Sequence, residues 1–221
     1  MSPQHIRIAE LAKEDRARKF SSIAHLLTVE ALHEAFQDLR KDASAGVDRV
    51  THTEYAKEVQ KNLQQLHDRL KNGTYRAQPL RRIYIPKEDG RQRPISIPSL
   101  EDKIVQRAAV DLLNAIYEQD FLDCSYGFRP GRGPQDALDE VGRIICLRPI
   151  STILEADIQG YFDAIVRSLL AEMIEKRVCD GTILRLIGKW INVGVIGRGQ
   201  PASTDMVRQS RQGAGHGGCA G

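Results

Sequence analysis

Apolar residues recur along this chain first with the period of helices and then, over a short central stretch, with the period of strands. Residues 1 to 45 are polar with a narrow apolar stripe, Ile23, Leu26, Leu27, Leu32 and Phe36, which predicts helices burying one face. Thr51-His-Thr-Glu54 has the form of a capping box, and Tyr55, Val59, Leu63, Leu66 and Leu70 follow at helical spacing until Asn72-Gly73 stops the run. Leu80 to Pro86 and Arg91 to Pro98 alternate instead, through Ile83/Ile85 and Ile95/Ile97, on either side of Lys87-Glu-Asp-Gly90 with its Asp-Gly turn signal. They predict a β-hairpin, and Pro94 and Pro98 make its second strand an edge or a short one. Ser99, with Asp102 three residues on, opens a helix whose apolar positions from Ile104 to Ile116 make a face wide enough to be buried.

Further on, Phe128-Arg-Pro-Gly-Arg-Gly133 is a loop that delivers Pro134 to the first turn of a helix reaching about Cys146. Ser151 to Asp157 is an apolar run that predicts a strand, followed by helices over about 168–176 and 183–191. From Gly194 the chain turns glycine-rich and loses apolar periodicity, which predicts a disordered tail over 196–221. Helices alternating with a hairpin and a further strand give an α+β fold. The expected organisation is an N-terminal helical extension (1–45), a region around the hairpin (46–150), a strand-and-helix region (151–195) and the tail.

With 221 residues, 41% hydrophobic and 28% charged, the composition is that of a globular protein, and no apolar run approaches the length of a membrane span. Met1 to Phe20 lacks an apolar h-region and carries Glu10, Glu14 and Asp15, so no secretory or transit signal is read and a cytoplasmic location is expected. Cys124, Cys146, Cys179 and Cys219 form no C-x-x-C pair and are expected as reduced thiols, three of them in the core. The net charge is only +3, but its distribution is uneven. Arg76, Arg81, Arg82, Lys87, Arg91 and Arg93 face only Glu88 and Asp89 across the hairpin. Such a concentration suits phosphates, though a solvated hairpin explains it equally well.

The candidate chemistry lies in Leu154-Glu-Ala-Asp-Ile-Gln-Gly-Tyr-Phe-Asp163. A carboxylate ending a strand can hold a divalent metal against a triphosphate, and a ring five residues later can pack under the incoming sugar. Asp157 and Phe162 occupy those two places. The plainer alternative makes Asp157 a loop acid and Asp163 a helix cap. Arg129 and Arg132, on the glycine-rich loop, can grip a nucleic-acid backbone or stand as exposed bases on a turn.

In order, Ala45-Gly-Val-Asp48, the segment Lys87 to Pro98, Ser125-Tyr-Gly-Phe-Arg-Pro130 and Asp157-Ile-Gln-Gly-Tyr-Phe-Asp163 closely resemble successive blocks of the group II intron reverse transcriptases, the intron-encoded maturases. The resemblance covers roughly residues 15 to 195. It implies the fingers and part of the palm of a right-hand polymerase, preceded by an N-terminal extension. It also implies RNA-templated DNA synthesis with Mg2+, and as partners the intron RNA, an RNA template with a DNA primer and deoxynucleotides, with no membrane. By the same resemblance Asp157 corresponds to the first metal-binding carboxylate, Ile158 to the neighbour whose backbone carbonyl joins the metal shell, and Phe162 to the ring that excludes a ribose 2'-hydroxyl. Lys87 and Arg93 correspond to the bases on the incoming triphosphate, a point charge and a fork matched to phosphate oxygens. Arg76, Arg81, Arg82, Arg91, Arg129 and Arg132 are the expected contacts to nucleic-acid backbone.

The chain departs from the family pattern in one respect: no Asp-Asp pair occurs anywhere in it, so the Tyr-Ala-Asp-Asp block is missing. Two-metal phosphoryl transfer needs carboxylates on both sides of the ions. The expectation is therefore a truncated reverse transcriptase piece inactive by itself, with a second polypeptide carrying the remaining palm and thumb as one partner it could take. The alternatives are a non-catalytic RNA-binding module assisting splicing, and a different transferase working through Asp157 and Asp163 alone.

Overall fold

The structure, a computed structural model, describes residues 2–86, 88 and 90–196. Lys87 and all of the expected tail except Ile196 lie outside these residues. In chain order the elements are α1 (Pro3–Glu14), a 3-10 turn (Ala24–Leu26), α2 (Val29–Asp38), α3 (His52–Ala56), α4 (Val59–Lys71), β1 (Leu80–Pro86), β2 (Gln92–Ile97), α5 (Leu100–Tyr117), α6 (Pro134–Leu147), α7 (Tyr161–Ala164), α8 (Arg167–Glu175), α9 (Gly181–Ile191) and β3 (Val195–Ile196). The fold is α+β. Packing sorts them into two units that do not follow the sequence blocks, one of Met1–Ser21 with Val110–Cys179 and one of Ser22–Ala109 with the chain from Asp180 onward. The boundary falls inside α5.

In the unit holding the hairpin, the expected stripe is buried: Ile23, Leu26, Leu27, Leu32 and Phe36 all lie in the core. The Thr51 hydroxyl accepts from the Glu54 N–H as a capping box requires, but the helix it starts is only α3, and a second helix, α4, resumes at Val59. Leu63, Leu66 and Leu70 then bury, and Gly73 (φ +71°) ends the run in the left-handed region that glycine tolerates. β1 and β2 pair antiparallel from Arg81↔Ile97 to Pro86↔Gln92. In the order β2-β1-β3, β2 is the edge, so Pro94 withholds no N–H that an inner strand would need. β3, a parallel neighbour at Leu80↔Val195 and Arg81↔Ile196, falls where the sequence pattern had ended. Asp180 caps α9 through the N–H groups of Thr182 and Ile183, and its other oxygen takes those of Ile23 (2.7 Å) and Ala24 (2.8 Å).

In the other unit, Phe20 and Val178 form a parallel bridge, and Arg177 is buried between stretches far apart in sequence. Its guanidinium donates to the carbonyls of Ala12, Asp15 and Arg18, the first of them in the last turn of α1, which would otherwise leave its final carbonyls unpaired. Nε lies 2.9 Å from Asp120 as an ion pair, without hydrogen-bond alignment.

Two expectations fail in this unit. Residues 151–158 form no strand; their backbone is irregular and every one of them is exposed, Leu154 at 89%. A strand needs a neighbour to take its N–H and C=O groups, and no described segment pairs with this run. The cysteines Cys124, Cys146 and Cys179 are free and exposed rather than core: α6 buries none of its residues, Cys124 lies in an exposed turn, and Cys179 turns its side chain outward between buried Val178 and Asp180.

Candidate nucleic-acid interface

The hairpin register decides which bases can act together. Residues directly opposite share a face, so Arg81, Ile83 and Ile85 lie with Ile97, Ile95 and Arg93, while Arg82 and Tyr84 lie on the reverse with Ser96 and Pro94. Arg81 and Arg82 therefore point to opposite faces and cannot belong to one phosphate-binding surface. Both are half-buried, each with a buried Nε that has no hydrogen-bond partner among the described residues, and an Arg82 Nη donates to Ser96 at 3.3 Å. Arg76, Arg91 and Arg93 are exposed and remain candidates. Gly90 takes φ +78°, a conformation glycine tolerates, while Lys87 and Asp89 of the expected turn lie outside the described residues.

The root of the hairpin is held by a buried polar network. Asp102 accepts from the Tyr75 hydroxyl on one oxygen, and on the other from the Ser99 hydroxyl (2.8 Å) and the Gln78 N–H (2.9 Å). Trp190 Nε1 donates to the Tyr75 oxygen at 3.1 Å, and Lys189 donates to the Tyr75 carbonyl at 2.6 Å. Burial, then the bond to Asp102, pushes the Tyr75 hydroxyl far above the ordinary phenol range, so it stays a donor. Ser99 and Asp102 were legible as a helix cap, but the hold on Tyr75 and α9 was not, since it joins residues 27 and more apart.

The Ser125-to-Pro130 block corrects another expectation. Arg129 is only 9% exposed, which leaves its guanidinium little surface for a nucleic-acid backbone. It pairs with Glu118 at 3.1 Å, donates to the carbonyls of Leu122 (2.9 Å) and Ser125 (2.8 Å), and lies 5.0 Å from the Phe121 ring. Its role is to hold the loop. Arg132 is partly exposed, bound to the backbone carbonyl and carboxylate of Asp123 and placed 5.4 Å from the Tyr126 ring. Phe128, which the sequence reading did not single out, takes φ +58° and is 100% exposed.

Asp157, Ile158 and Phe162 are all on the surface of the same unit, Ile158 at 69% and Phe162 at 76% exposure. Gly160 turns the chain at φ +63° into the short helix α7, where the rings of Tyr161 and Phe162 meet edge to face at 5.3 Å. Asp157 has no ion-pair or hydrogen-bond partner among the described residues, and among them no three His, Cys, Asp or Glu converge as a metal site would require. One exposed carboxylate with the Ile158 carbonyl does not amount to the donor set of a two-ion clamp, so no metal-dependent step follows from these residues alone. None of the described helices is long and apolar enough to cross a membrane.

Residues 85–217 match the family described as reverse transcriptase (RNA-dependent DNA polymerase). Protein YkfC of Escherichia coli (strain K12) is 34% identical over 203 residues, which are 89% of this chain and 53% of that protein. The group II intron-encoded protein LtrA of Lactococcus lactis subsp. cremoris is 31% identical over 192 residues, 86% of this chain and 32% of LtrA. An uncharacterized 91 kDa protein in the cob intron of Schizosaccharomyces pombe is 35% identical over 127 residues, 58% of this chain and 16% of that protein. The chain thus spans about half the length of the first of these relatives and about a third of the second. With the four sequence blocks, the hairpin and the family match in agreement, the chain belongs to the group II intron reverse transcriptases and maturases.

Proposed function

We propose that this chain supplies the fingers hairpin and the first palm carboxylate of an RNA-directed DNA polymerase of the group II intron type, and that it does not polymerise by itself. The observation that carries this reading is the state of residues 151–158: a segment matching the family's metal-binding block is fully exposed and pairs with no described strand, and among the described residues Asp157 belongs to no cluster of three His, Cys, Asp or Glu. In this reading Asp157 and the Ile158 carbonyl are two oxygen ligands for Mg2+, and paired aspartates must come from elsewhere. When bound, the ions would stabilise the charge that develops on the transferred phosphoryl group. The chain's own residues bind and position: Lys87 and Arg93 on the triphosphate, Phe162 under the sugar, and the exposed arginines of the hairpin on backbone phosphates.

Primer extension on an RNA template, with magnesium and all four deoxynucleotides, tests this directly. The 221-residue chain should extend nothing, and addition of a polypeptide carrying the family's Tyr-Ala-Asp-Asp block and thumb should give extension that Asp157→Ala abolishes. Extension by the chain alone would refute the reading. A non-catalytic RNA-binding role is favoured by a specific observation, the exposed Arg76, Arg91 and Arg93, and intron RNA binding without complementation would select it.

A further inference from the structure

The Ser125-to-Pro130 loop holds a bulky residue in a conformation that bulky residues avoid. Phe128 has φ +58°, the left-handed region, where its Cβ crowds the following carbonyl. The usual compensation for such strain is burial of the side chain, and here the ring is 100% exposed. The strain does not relax because the adjacent residue is clamped: Arg129 is tied to Glu118 on the helix side and to the Leu122 and Ser125 carbonyls on the loop side, all within 3.3 Å. The loop is thus held beneath a ring that is fully exposed to solvent.

We infer that the Phe128 ring is a stacking surface for an unpaired nucleobase of a single-stranded nucleic acid. Strain concentrated at one residue, with its side chain presented to solvent, marks a position whose contact lies outside the chain. A flat apolar face suits a base, which stacks without regard to its identity. The backbone on either side is uncrowded, since a Cβ at Gly127 or at Gly131 would meet nothing within 4 Å. Arg132, four residues on and partly exposed, brings a cation to the same loop. The inference rests on the nucleic-acid reading proposed above and adds to it a residue and a mode of contact.

The test uses the 221-residue chain and a single-stranded RNA oligonucleotide carrying one 2-aminopurine, with affinity from anisotropy and stacking from quenching of the base. Phe128→Asn keeps the left-handed turn, which asparagine tolerates, and removes the ring. It should weaken binding about 5- to 100-fold, the range for loss of one base–aromatic stack, with thermal stability equal to or above the wild type and with the salt slope unchanged. Phe128→Trp should restore affinity and quenching. Equal affinity of the wild type and Phe128→Asn would overturn the inference while leaving RNA binding intact. Equal affinity together with altered sedimentation would instead make the ring a protein contact. No RNA binding by the wild type at all would overturn both this inference and the nucleic-acid reading.

Discussion

Gly46 lies flat against the backbone of Ser99: a Cβ on it would fall 2.5 Å from the Ser99 Cα and 2.7 Å from the Pro98 carbonyl oxygen. The Ala45-to-Asp48 block thereby touches the point where β2 hands over to α5, and only a residue without a side chain can do so. Gly46→Ala must push backbone, not a flexible side-chain end, so it should destabilise by about 3 kcal/mol, at the upper end of overpacking costs. Urea unfolding followed by circular dichroism checks this, and a shift in midpoint below about 1 kcal/mol would mean the contact yields.

Tyr75→Phe removes one hydroxyl and leaves two groups short, an Asp102 oxygen and the Trp190 Nε1–H. Leaving buried partners unsatisfied should cost about 2 kcal/mol. Tryptophan fluorescence of Trp190, the only tryptophan, should shift with it. An unchanged spectrum would place the indole N–H on another acceptor.

Asp180 carries a pH dependence. Burial, the largest single influence, pushes its carboxyl up, but four backbone N–H groups, those of Ala24, Ile23, Thr182 and Ile183, together outweigh it and hold the folded pKa below the ordinary range. The stabilisation is therefore complete above the unfolded value of about 3.9 and is lost as pH falls through the lower folded value. Asp180→Ala should cost about 1–2 kcal/mol near neutral pH and progressively less below about pH 4. A difference that grows in acid would reverse the sign.

Arg129 and Arg132 should separate by phenotype although they stand three residues apart. Arg129→Ala strands Glu118 and two carbonyls inside the loop and should cost about 3 kcal/mol or more. Arg132→Ala acts at a partly exposed site and should change stability by less than about 1 kcal/mol. Thermal melts of both variants decide it.

The hairpin and the segment leading into it should bind RNA through Arg76, Arg91 and Arg93 and not through Arg82. If about three phosphates are engaged, log affinity should fall with log salt at a slope of about -2, and each of Arg76→Ala and Arg93→Ala should lessen that slope by about 0.7. Arg82→Ala, removing a half-buried bond to Ser96, should leave the slope unchanged and lower stability instead. A change of slope at Arg82 would mean that the reverse face of the hairpin carries the RNA.

The local elements of this protein were determined by the sequence alone. The caps at Thr51 and Ser99, the pairing of β1 with β2 and the helical spacing of α4 and α5 follow from interactions between residues a few positions apart and form as the pattern predicts, although the single helix expected from Thr51 is broken between α3 and α4. The family, too, was legible in its four blocks. Tertiary structure decided what those short-range rules do not contain. Whether 151–157 becomes a strand depends on a hydrogen-bonding neighbour, and no described segment provides one. Whether Arg129 binds a ligand or holds its own loop depends on Glu118, 11 residues away, and Arg81 and Arg82 were split between faces by the pleat of a pairing whose partner strand lies beyond the turn. Charge and block identity name the residues that can meet a phosphate, but exposure, which is set by everything packed around them, selects among them.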